Sequence, residues 1–115
     1  MRSQQLTRTA TITLDGSGNG TAQLGPSITN EQWLPQQVSV SCSAAVTSGT
    51  CQAVIYAGAP PGVFVDGTFS GDTGDTSSAI AGQILWPGQY VTVVWITGVP
   101  GAQATVTVQG SRQVP

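Results

Sequence analysis

Ala102-Gln103-Ala104-Thr105-Val106-Thr107-Val108-Gln109 alternates apolar and polar residues without a break. A period of two is the repeat of a β-strand, whose successive side chains point to opposite faces. One face of this strand therefore belongs to a core, and the other carries hydroxyls and amides. The pattern recurs upstream. Leu6, Ala10, Ile12 and Leu14 alternate with Thr7, Thr9, Thr11 and Thr13, and Val38, Val40 and Cys42 alternate with Ser39, Ser41 and Ser43. Two other runs, Ala53-Val54-Ile55-Tyr56 and Tyr90-Val91-Thr92-Val93-Val94-Trp95-Ile96, are apolar on both faces. Strands in the middle of a sheet, or beneath a partner, have that character.

Turn-forming clusters separate these runs at intervals of about 8–15 residues. They include Asp15-Gly16-Ser17-Gly18-Asn19-Gly20, Gly58-Ala59-Pro60-Pro61-Gly62, Trp86-Pro87-Gly88-Gln89 and Gly98-Val99-Pro100-Gly101. No ten-residue stretch carries a helical period. A single helical turn fits only near residues 28–33, with Thr29 or Asn30 as its N-cap. The expectation is an all-β chain: a single β-sandwich or jelly roll of about eight mostly antiparallel strands. A length of 115 residues suits one domain. Residues 1–8 are expected to form an N-terminal arm, and residues 9–115 the sandwich.

Charge narrows the function. The chain has three arginines, five acids, no lysine and no histidine, for a net charge of −2. Charged residues make up 7%, against about 25% in an ordinary domain. A serine or cysteine nucleophile has no histidine to serve as its base. Paired carboxylates, which hydrolyse glycosides, are the remaining catalytic option. With three of the five acids on one turn-rich loop, the expectation is a protein that is not an enzyme. Nucleic-acid binding needs basic groups to neutralise phosphates, and three arginines near the termini make no basic groove. No apolar run approaches the roughly 18 residues of a membrane-spanning helix. No apolar segment follows Arg2, so folding in a cytoplasm is expected.

A few residues could carry chemistry. Asp66, Asp72 and Asp75 lie within ten residues on a Gly-rich stretch, and three carboxylates there could hold Ca²⁺. They could equally cap turns by accepting backbone N–H bonds. Asp15-Gly16-Ser17-Gly18-Asn19-Gly20 mimics the opening of a calcium-binding loop, but its twelfth position is Pro26 instead of Glu. A hairpin turn is the better reading. Cys42 and Cys51 either form a disulfide, worth about 3 kcal/mol on the loop-entropy model, or remain buried thiols. Trp33 and Trp86 flank prolines at strand edges and are candidate protein-interface or glycan contacts. Arg2 and Arg8 are expected to contact an acidic neighbour. No cofactor is implied.

Several motifs also follow one another in a recognisable order. They are Gly18-Asn19-Gly20, Leu24-Gly25-Pro26, Trp33, Val38-Ser39-Val40-Ser41, Phe64-Val65-Asp66-Gly67-Thr68, Pro87-Gly88-Gln89, Trp95 and Pro100-Gly101-Ala102. This order resembles small β-sandwich virion structural proteins of tailed bacteriophages infecting actinobacteria. The resemblance implies a particle component that decorates the capsid or belongs to the tail. Its implied partners are copies of itself and a major capsid or tail protein, and its implied place is the virion, assembled in the host cytoplasm. The rival expectation is a glycan-binding adhesion module of the virion that contacts the host surface.

Overall fold

The computed structural model describes residues 2–43, 51–60, 62–69 and 74–114. They form eight strands: β1 (Arg2–Thr13), β2 (Gly20–Leu24), β3 (Gln32–Cys42), β4 (Gln52–Gly58), β5 (Val63–Phe69), β6 (Asp75–Ser77), β7 (Tyr90–Ile96) and β8 (Gln103–Val114). Two four-stranded sheets result, with orders β1-β8-β3-β6 and β2-β7-β4-β5. Every neighbouring pair is antiparallel. The all-β sandwich expected from the alternation is therefore observed.

The alternation orients the sheets as read. Val106, Val108, Val38, Val40, Leu6 and Cys42 are buried between them. On the outer face of the first sheet, Thr9 and Thr11 meet Thr107 and Thr105 across β1–β8, with hydroxyl oxygens 3.1 Å apart in each pair. The two runs apolar on both faces are β4 and β7, the central strands of the second sheet. Ala53, Ile55, Val93 and Trp95 from these strands are fully enclosed.

Residues 2–8 are not a separate arm. Arg2 pairs with Val114, and the register runs unbroken to Thr13 opposite Gln103. The boundary expected at residue 8 is thus replaced by one continuous twelve-residue strand. Residues 28–31 make a turn, closed by the Glu31 N–H on the Ile28 carbonyl at 3.0 Å, and β3 starts at Gln32, so no helical turn spans 28–33.

Three strands of the first sheet have 11 or 12 residues and β6 has three, whereas those of the second have 5 or 7. The longer sheet overhangs at the end that carries Arg2 and Val114, called here the terminal end. Residues 78–89 fold under the overhang. Trp33 and Leu85 exchange backbone hydrogen bonds at 2.9 Å in both directions, and Ile80 and Leu85 are buried beneath it. The turns 25–31 and 78–89, with Ala59 and Gly62 beside them, gather at the terminal end, and the turns 14–19 and 97–102 at the other.

Candidate functional site

The large hydrophobic side chains that remain exposed are Ile28, Val63, Phe64, Ile84 and Trp86. All five belong to the turns and strand starts of the terminal end. Val63, Phe64 and Ile84 line one groove of about 300 Å³ together with Val65, Leu85 and Gln89. Phe64 is 62% exposed and meets Tyr56 edge-on, with ring centres 6.3 Å apart. Trp86 is 42% exposed, on a turn where its N–H donates to Gln89 Oε1 at 3.0 Å. Exposed apolar side chains gathered at one end are the kind of surface that interaction sites use.

A second feature lies on the flank where β5 and β6 face each other across the two sheets. The Ser77 hydroxyl donates to Asp66 Oδ2 at 2.5 Å, and the Thr68 hydroxyl donates to Asp75 Oδ2. Each bond joins one sheet to the other, so hydroxyl–carboxylate pairs close this seam. The Thr68 hydroxyl, followed by the Thr76 N–H, holds the Asp75 carboxyl below its usual range. Asp66 Oδ1 also accepts from the Gly67 N–H at 2.8 Å. Both of these candidate ligands lie on strands instead of turns, and each binds a hydroxyl of the facing sheet and the N–H of the next residue. Asp72 lies outside the described residues. Among those residues no group of three His, Cys, Asp or Glu side chains is placed to hold a metal ion.

Arginines occupy the opposite side. Arg112 pairs with Glu31 at 2.5 Å and donates to Gln4 Oε1 from Nε and Nη2 at 3.1 and 2.7 Å. Glu31 is buried, and removing one partner of a buried pair costs about 3–5 kcal/mol. Arg112 is therefore committed to the fold. Arg8 lies over the Trp33 ring at 5.9 Å, while Arg2 is exposed at the strand start.

The exposure expected for Trp33 is corrected here. Trp33 is 2% exposed, enclosed by Leu85 and capped by Arg8. The cause is a β-bulge between Pro35 and Gln37, which moves the inward positions from Val38 and Val40 to Trp33 and Pro35. Trp33 therefore cannot present a face to a glycan or a partner.

The 14–19 turn also differs from a hairpin, because β1 and β2 lie in different sheets. It arches between them. Asp15 Oδ1 accepts from the N–H groups of Ser17 and Asn19 at 2.8 and 3.0 Å. The amides of Asn19 and then Ser17 hold the Asp15 carboxyl below its usual range. This is a turn cap, not an open calcium loop. Cys42 ends β3 in one sheet, Cys51 precedes β4 in the other, and both thiols are buried in the common core.

Compared with known proteins, the chain matches no family model, no curated protein and no solved structure. Sequence reasoning missed the apolar end. Its residues are scattered between positions 28 and 86, and only the strand order brings them together.

Proposed function

We propose that this chain is a non-enzymatic structural subunit of a bacteriophage particle, on the capsid or in the tail, with its apolar end seated on a larger structural protein. The supporting observation is that Ile28, Val63, Phe64, Ile84 and Trp86 gather at one end of a molecule whose first sheet turns rows of Thr, Ser and Gln outward. Exposed aromatic and aliphatic groups beside a groove are the anchors on which protein interfaces depend. Strands β1 to β8 pair as β1–β8, β2–β7, β3–β6 and β4–β5, one long hairpin wrapped into two sheets. We read this as a jelly roll, an architecture that capsid proteins share with lectins. Fold alone does not choose between those two, so the choice rests on the surface.

The test is binding of the purified chain to virions lacking it, by co-sedimentation. Wild type is expected to bind, and Phe64→Ser with Ile84→Ser to lose at least about tenfold in affinity, since burying each apolar side chain contributes about 1.5–3 kcal/mol. Equal binding by the variant overturns the reading.

The glycan reading has one observation in its favour. A depression of about 420 Å³ on the outer face of the second sheet is lined by Tyr56, Thr21, Gln23 and Thr92. An aromatic ring among hydroxyls and an amide is the composition of a sugar site. Glycan-array binding abolished by Tyr56→Ala would establish it, and silent arrays would remove it.

A further inference from the structure

The two flanks of the sandwich carry opposite charge. Of the described charged groups, Arg112 and Glu31 pair with each other, and Asp15 is bound by its own turn. The others are divided between the flanks: Arg2 and Arg8, the latter over the Trp33 ring, on the one formed by β1 and β2, and Asp66 and Asp75, each held by a hydroxyl and a backbone N–H, on the one formed by β5 and β6. The strand register sets their levels. Arg8 pairs with Val108, Val108 with Val38, and Val38 with Ser77, the residue bonded to Asp66. Two residues further along, Ala10, Val106, Val40 and Asp75 form the next row. The arginine of one flank and the acids of the other therefore stand at the same height along the strands.

Strand direction makes the flanks compatible as well. Each sheet has four strands with every neighbour antiparallel, so its two edge strands run in opposite directions. A second copy set beside the first without turning over places its β1 antiparallel to β6 and its β2 antiparallel to β5. Both sheets then continue across the boundary at once. The β1 edge is twelve residues long, with no proline and no bulge, the kind of open edge that recruits another strand.

We propose that copies of this chain associate head to tail, the Arg2/Arg8 flank of one copy docking on the Asp66/Asp75 flank of the next. This rests on the reading of the chain as a packing subunit and names the surface that packs. The contact is heterologous, and it closes into a ring when the rotation per copy divides a full turn. A two-fold pairing of β1 with β1 is disfavoured, because it puts the arginines of both copies on one seam.

The experiment combines light scattering with cross-linking. Wild type at low salt is expected to form species larger than a dimer, and Arg2→Glu with Arg8→Glu to raise the midpoint concentration for assembly by about tenfold or more. Thr9 and Thr76 are exposed on the outer face beside the two rows. With copper–phenanthroline and oxygen as oxidant, a mixture of Thr9→Cys and Thr76→Cys chains is expected to cross-link, while each variant alone stays uncross-linked. Self-cross-linking of Thr9→Cys alone, assembly indifferent to the arginine variant, or a monomer at every concentration overturns the proposal. Virion binding by the apolar end is read separately, so a failure here leaves that reading standing, and the reverse also holds.

Discussion

Gly18 shows how much one residue decides. It sits in the arch between β1 and β2 at φ +78°, and its carbonyl accepts from the Gly98 N–H at 2.9 Å. A Cβ added there would lie 2.0 Å from the Gly98 carbonyl oxygen, which is backbone and has little room to yield. Both the backbone conformation and the contact exclude a side chain. Gly18→Ala is expected to destabilise the fold by roughly 2 kcal/mol or more, measured by denaturant unfolding. A loss below about 0.5 kcal/mol would contradict this account of the arch. The turn was legible in the run Asp15-Gly16-Ser17-Gly18-Asn19-Gly20, because glycine and Asx residues signal turns by their own chemistry. That the turn joins two sheets was not legible, because the approach of Gly98 lies eighty positions away. Trp33 fails in the same manner. Its burial depends on Leu85, Arg8 and the bulge after Pro35, and none of these has a local signature.

At the scale of elements, β1, β3, β7 and β8 could be read from the sequence because a half-buried or enclosed strand imposes its own period. β6 could not. It has three residues, Asp75–Ser77, and is held by Ser39 and Thr76 hydroxyls 2.9 Å apart and by the carboxylates of the β5/β6 seam. The seam gives this edge an acid dependence. Asp75, like Asp15 in the arch, has a carboxyl held below the usual carboxylate range. A lowered folded value means that its stabilisation is complete above the unfolded value and lost as pH falls through the folded one. Melting temperature is therefore expected to hold steady at neutral pH and to fall below about pH 4. Asp75→Asn should flatten part of that fall, and an identical acid profile in the variant would contradict the role given to the Thr68 bond. Both carboxylates are exposed, so the effect is modest and salt-sensitive.

For the whole molecule, the sparse charge becomes a matter of placement. One arginine is consumed by Glu31, two remain on one flank, and Asp66 and Asp75 lie on the other, with Thr and Ser rows of the first sheet between. Few like charges means copies can approach closely. The exposed apolar groups sit at the terminal end, where Val63 and Phe64 begin β5, so the surface proposed for seating adjoins the acidic flank at that corner. The most direct test of this account is an electron-microscopy map of the phage particles to which the chain is proposed to belong. The account predicts density for this sandwich with Ile28, Phe64, Ile84 and Trp86 pressed against another particle protein and the Thr rows outside that contact. A map in which those four side chains face solvent, or in which the chain is missing from the particle, would contradict it.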